Sequence, residues 1–342
     1  MESLVADSVR ESVEQPGTAG VARAYNSAQI ADAYRVCRDI ARKQAKNFYY
    51  AFVALPKPKR DAICAVYAFM RHADDLSDDE SVPHEQRRVA LQLWLDAWHR
   101  ADAGLGTSDP VFVALADARR RFQIPSALLD ELVEGTTMDL RHAAEHPNRP
   151  NHRGAEAVHQ MHFDVYPTFA DLYRYCYLVA SVVGLVCIRI FGYEDARAEK
   201  LAEETGIAFQ LTNILRDVRE DALRGRVYLP VEDMERLGVI PEELASLEDG
   251  HRLTLNQREL LETQAQRAEQ YYQSGLALLP LIAADSRPAL WVLITIYHRL
   301  LRRIEQRNFD VFSVRVSVPT YEKLWILLRG MLRMMLYRLG AV

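Results

Sequence analysis

Residues 210–221 read Gln210-Leu211-Thr212-Asn213-Ile214-Leu215-Arg216-Asp217-Val218-Arg219-Glu220-Asp221. Asn213, Asp217 and Asp221 recur every four residues, which places them on one stripe of an α-helix, and Gln210 joins that stripe three residues earlier. Phe209, Leu211, Ile214, Leu215 and Val218 hold the rest of the helix against a core. Like charges four residues apart in a helix repel by about 0.2–0.5 kcal/mol per pair. A core helix that keeps such a line of oxygen ligands asks for a compensating cation.

The same pattern occurs earlier. Arg71-His72-Ala73-Asp74-Asp75-Leu76-Ser77-Asp78-Asp79 ends an apolar helix that contains Val66, Tyr67, Ala68 and Phe69. Asp74 and Asp78 are four residues apart, roughly 6 Å along the axis, and Arg71 and Tyr67 continue the stripe. Each motif alone fits a solvated helix end. Two of them with one spacing, each on an apolar helix and each with an arginine beside it, point to function. Carboxylates facing each other from two helices suit Mg²⁺, which takes oxygen ligands and is shared between one or two carboxylates and substrate phosphates. The sequence has no D-x-D-x-D-G loop for calcium, no G-x-x-x-x-G-K-[ST] loop and no G-x-G-x-x-G turn.

Outward from these motifs the pattern is helical. Lys59 to Glu80 holds no Gly or Pro, Thr168 to Phe191 is apolar with only Gly184 inside, Thr254 to Leu279 has helical spacing, and Pro288 opens a helix running to about Asn308. Val, Ile and Thr form no alternating runs bounded by turns, so no sheet is expected. The expectation is an all-α protein of ten or so helices in one domain over residues 27–330, with a flexible tail over 1–26 and an amphipathic end over 331–342. The stretch His142 to Tyr166, rich in Pro, Asn and His, reads as a surface insertion; its five histidines follow no metal-ligand template.

The 342 residues are 49% hydrophobic and 26% charged, which is globular material. A net charge of −5 with no long basic block argues against a nucleic-acid partner. Cys37, Cys64, Cys176 and Cys187 form no C-x-x-C pair and read as small core residues in a reducing, cytoplasmic setting. The N-terminal stretch lacks the apolar core of a signal peptide. From Leu324 onward, Arg329, Arg333 and Arg338 alternate with leucines and methionines. That pattern suits a helix packed on its own domain, or one in peripheral contact with a membrane surface.

At these residues the chain resembles the squalene/phytoene synthases, the head-to-head prenyl synthases. The resemblance covers roughly Ala31 to Arg329. It is carried by Asn47-Phe48-Tyr49-Tyr50-Ala51-Phe52 with Leu55-Pro56, by Tyr67 to Arg71 with Asp74 and Asp78, by Tyr173 to Gly184, by Gln210 to Asp221, and by Gly225 to Pro230. It implies the all-α isoprenoid synthase fold around a central cavity. It also implies Mg²⁺-dependent joining of two prenyl diphosphates through a cyclopropyl diphosphate. By the same resemblance Asp74, Asp78, Asn213, Asp217 and Asp221 would hold the metal, and Tyr67, Arg71, Tyr175 and Tyr297 would be catalytic. Lys46, Val179, Gly184, Gln210 and Arg216 would bind substrate. The family's serines before the first Phe are Ala45 and Asn47 here, and a usual glycine is Ser181.

The segment Phe309 to Pro319 inclines the reading to two C15 farnesyl diphosphates giving presqualene diphosphate or squalene, with NADPH entering only if squalene is formed directly. The alternative is two C20 geranylgeranyl diphosphates giving phytoene. A non-catalytic relative acting in assembly would have lost carboxylates, and a head-to-tail elongase would carry a second D-D-x-x-D motif after Glu203, which is absent.

Overall fold

The structure, a computed structural model, describes residues 25–79, 81–145, 163–247 and 252–338; the side chains of 46, 47, 137–145 and 333–338 fall outside it. Its helices are α1 (Ser27–Gln44), α2 (Lys46–Val53), α3 (Lys57–Asp78), α4 (His84–Asp102), α5 (Pro110–Phe122) and α6 (Ser126–Glu145) in the first half. A long bent helix follows, made of α7 (Phe169–Cys176), a π-helical turn (Tyr177–Ser181) and α8 (Val182–Phe191). Next come α9 (Arg197–Ala222), α10 (Val231–Leu237), α11 (Pro241–Ser246), α12 (Leu255–Leu278), α13 (Arg287–Gln306) and α14 (Thr320–Arg338). Phe169–Phe191 is the one stretch among the described residues long and apolar enough to cross a bilayer, and half of its apolar window is buried in the fold.

The ends of these helices follow local chemistry. Asn26 caps α1 and exchanges hydrogen bonds with Gln29, and Thr254 does the same with Gln257 at α12; both are capping boxes. Pro288 sits in the first turn of α13, where its missing N–H is no loss. α9 lies at the centre, packed along α12 on one side and against the π-turn and α8 on the other. The approach at the π-turn needs Gly206. A Cβ there would stand 2.5 Å from the Ser181 Cα. Ser181, the residue that departs from the family's glycine, donates its hydroxyl to the Glu203 carbonyl at 2.6 Å and so bolts the two elements together.

One expectation is corrected. A sheet exists: β1 (Asp164–Tyr166) pairs in parallel with β2 (Arg226–Pro230). With three residues in β1 and a register irregularity after Val165, it is too short to leave an alternating pattern. It also puts the end of the presumed insertion into the fold. The division between 27–330 and 331–342 falls within α14, which runs on through both residues. The remainder of the 1–26 tail before residue 25, and four of the five histidines of the insertion, lie outside the described residues, as does the His142 side chain.

Candidate active site

Helices α2, α3, α8, α9 and α13 and the π-turn enclose a cavity of about 630 Å³, a size typical of small-molecule sites. Along α3 its wall runs from Asp74 and Arg71 through Met70 and Tyr67 down to Val66 and Ile63; along α9 it runs from Arg216, Asn213 and Gln210 down to Gly206, Thr205 and Ala202. Both helices change from polar to apolar in the same sense. The chamber therefore has a charged mouth at their C-terminal ends and an apolar interior. On α9 the stripe from Arg216 to Ala202 is about 21 Å long at the rise of an α-helix.

The position of the acids decides their meaning. α3 ends at Asp78 and α9 at Ala222, so Asp74, Asp78, Asp217 and Asp221 occupy the last turns of their helices. Negative charge there opposes the helix dipole and costs about 0.3–1 kcal/mol per group. The protein answers part of this with arginines. Arg216 donates from Nε to Asp217 Oδ1 at 2.8 Å and from Nη2 to Oδ2. Arg315, from the segment before α14, donates to the same Oδ1 at 3.0 and 2.9 Å and lies 3.5 Å from Glu220. Arg71 bonds Asp75. Asp221 is pushed up from 3.8 to about 7 by burial and then by the Asp217 charge, with Arg224 and Arg226 opposing.

Nine of the residues singled out in the sequence meet on this wall: Tyr67, Arg71, Asp74, Val179, Gly184, Gln210, Asn213, Arg216 and Tyr297. Asp78, Asp217 and Asp221 are not among the wall residues: Asp78 follows Asp74 by one helical turn, Asp217 is bonded by the wall residue Arg216, and Asp221 follows Asp217 by one turn. Tyr175 is not among these wall residues: its ring stacks on Tyr228 at 4.9 Å and lies 5.4 Å from Tyr166, buried beside the strands one residue before the π-turn's N-cap. The Lys46 side chain lies outside the described residues.

The residues present fit a divalent cation in one specific respect. The Asn213 Oδ1 is buried without a hydrogen-bond partner, while its amide donates to Gln210 Oε1 at 3.3 Å. A buried orphan oxygen at the charged mouth is what an oxygen-seeking ion would satisfy. Among the described residues no three His, Cys, Asp or Glu side chains converge on one point.

Several wall residues were not anticipated. Phe209, read in the sequence as a core residue, stacks on Tyr297 at 4.5 Å, and Phe48 lies 5.8 Å from Tyr297 on the other side. Burial pushes the Tyr297 phenol up to about 12 against the pull of Arg216 and a hydrogen bond with Asn213. Tyr67 is also raised, by burial first. Arg315 and Lys323 add positive charge to the mouth; burial, then the nearby Arg216, lowers Lys323. The sequence signal for Arg315 is a lone cation in the alternating Val314 to Val318 run.

Comparison with known proteins agrees with this geometry. The squalene/phytoene synthase family model matches residues 41–322. A phytoene synthase of Mycobacterium tuberculosis is 37% identical over 298 residues, covering 86% of this chain and 89% of that protein. A 15-cis-phytoene synthase of Synechococcus elongatus is 34% identical, covering 90% and 94%. Among solved structures, a dehydrosqualene synthase in complex with ligand superposes with a TM-score of 0.74 at 30% identity, covering 90% of this chain and 98% of that one. A squalene synthase from Alicyclobacillus acidocaldarius gives 0.70 at 25%, covering 83% and 97%.

Proposed function

The chain belongs to the squalene/phytoene synthase family of prenyltransferases, and we propose that it joins two C20 geranylgeranyl diphosphates head to head to give phytoene. The observation that carries the choice is the kinship: the phytoene synthases at 37% and 34% identity span nearly the whole chain. The sequence's inclination to C15 substrates thereby gives way to its alternative. The C15 reading keeps one observation in its favour, the 0.74 superposition on a dehydrosqualene synthase.

The roles follow from the wall. Asp74, Asp78, Asn213, Asp217 and Asp221 would hold Mg²⁺, which supplies neutralisation of the departing diphosphate. Arg71, Arg216, Arg315 and Lys323 would grip diphosphate oxygens, arginine with its planar fork of donors. The ring faces of Tyr297, Phe209 and Phe48 would stabilise the allylic cation. Tyr67 and Tyr297, both raised, stay neutral and can donate hydrogen bonds without becoming nucleophilic phenolates. Val179, Gly184 and the apolar depth would hold the isoprenoid tails and exclude the water that would quench the cation. The second chain's double bond attacks the allylic carbon, and a proton leaves to close the cyclopropane. Loss of the second diphosphate, rearrangement and a further proton loss give phytoene with no net reduction, so NADPH has no part in the phytoene route.

The test is a product assay with the purified chain, Mg²⁺ and either C15 or C20 diphosphate, with and without NADPH, read by mass spectrometry. A C40 hydrocarbon from geranylgeranyl diphosphate, independent of NADPH, is expected. A C30 product from farnesyl diphosphate and none from the C20 substrate would overturn the tail length and leave the site roles standing.

A further inference from the structure

Helix α14 has two unlike faces. Its inner face carries Lys323 to the cavity mouth and buries Ile326 and Gly330 against α13 and α2. Gly330 permits this approach, since a Cβ there would stand 2.9 Å from the Val292 Cγ2. The outer face presents Tyr321, Leu324, Trp325, Leu328 and Leu332, each between 50% and 73% exposed. Their spacing makes a single apolar stripe along the helix. Leu276, 51% exposed, extends it from α12. Beside Trp325 lies a groove of about 380 Å³ with Ile294 and Ile326 in its lining and Arg302 and Arg329 at its edge.

We propose that this outer face of α14 docks the protein on an anionic lipid bilayer. Charge on the helix selects that occupant. α14 carries Lys323, Arg329, Arg333 and Arg338 against one acid, Glu322, and Glu322 is held by Arg299 and, at 2.5 Å, by Arg303. Lys323 faces the cavity mouth, and the other three give the helix a local excess of positive charge on a protein of net charge −5. Leucines along the stripe with a tyrosine and a tryptophan suit the boundary between headgroups and acyl chains, where such rings settle. Each basic residue held near an anionic surface adds about 1 kcal/mol.

The position of the face gives docking a purpose. Ala51, Leu293 and Ile296 line the cavity and belong with Ile326 to a small core cluster separate from the main one. Side chains of α2 and α13 that line the chamber thus share a cluster with Ile326 of the helix that carries the exposed stripe. A product made from two prenyl chains is a hydrocarbon for which the bilayer is the sink. The family's chemistry suffices for this step, and the length of the tails does not enter.

Flotation of the full chain with phosphatidylcholine vesicles, and with vesicles that also contain phosphatidylglycerol, tests the proposal. The chain is expected to float with the anionic vesicles and less so as salt is raised. Trp325→Glu with Leu328→Glu should lower partitioning by roughly tenfold or more, with helicity and turnover of detergent-dispersed substrate unchanged; Leu332→Glu gives the same readout should the double variant fail to fold. A chain that stays down with both vesicle types overturns the proposal, as does equal flotation of the variants. A dimer by light scattering that the variants convert to monomer, without flotation, assigns the face to a second copy instead.

Discussion

The two acidic pairs of the cavity mouth share a spacing and differ in everything around it. Asp74 and Asp78 close α3, where Asp78 is exposed and the neighbouring Arg71 is engaged by Asp75. Asp217 and Asp221 close α9 in half-buried positions, where two arginines from different segments converge on Asp217 and Asp221 is pushed up to about 7. A motif read as a repeat is therefore an asymmetric pair of jaws. In the α3 pair Asp74 is half-buried on the wall and only Asp78 is open to water. The α9 pair sits where charge is costly to uncover and strong in effect.

The asymmetry sets an order of sensitivity. Asp217→Asn removes the carboxylate that both Arg216 and Arg315 orient, so it should lower kcat/KM by roughly 10³, the upper range for a lost electrostatic contact in a dry site. Asp74→Asn, on the jaw whose second carboxylate is exposed, should cost roughly 10². Steady-state turnover with Mg²⁺, alongside circular dichroism to show intact helices, measures both. An Asp74→Asn defect larger than that of Asp217→Asn would break the comparison.

A smaller effect sharpens it. Between pH 3.8 and about 7 the folded chain keeps a proton on Asp221 that the unfolded chain has released. Stability without metal or substrate should therefore fall as pH rises through that window and level off above it. Asp221→Asn should flatten this part of the profile, because the amide has no charge to bury. Urea midpoints of the two proteins on either side of the window give the comparison. Parallel profiles would mean that Asp221 is solvated like its counterpart Asp78.

What could be read from sequence, and what could not, divides along physical lines. The stripes Tyr67–Arg71–Asp74 and Gln210–Asn213 were legible because helical periodicity is local: three- and four-residue spacing alone puts those side chains on one face. Arg315 and Lys323 were not, because they reach the mouth from an irregular segment and from the helix after it, and only the tertiary fold brings them there. Phe209 was assigned to the core because an aromatic on a cavity wall and one in a packed interior have the same sequence signature. The sheet escaped because a three-residue strand has no measurable period. The fold class was recovered because apolar spacing over long helices is a redundant signal, and no single residue decides it.

Tyr175 and Tyr297 turn this division into an experiment, the least damaging of the series. Both tyrosines were assigned to catalysis, yet only Tyr297 lines the cavity. Tyr297→Phe removes a phenol that shares a hydrogen bond with Asn213, and a loss of about 1.4 kcal/mol, or tenfold in kcat/KM, is expected from one such contact near a charged site. Tyr175→Phe keeps the ring that stacks on Tyr228, outside the residues that line the cavity. Its kcat/KM should stay at the wild-type value per folded molecule, with any cost appearing in the urea midpoint. If instead Tyr175→Phe slows turnover as much as Tyr297→Phe while stability holds, then the Tyr175 phenol serves the reaction from beside the strands, and both tyrosines keep the catalytic role that the resemblance implies.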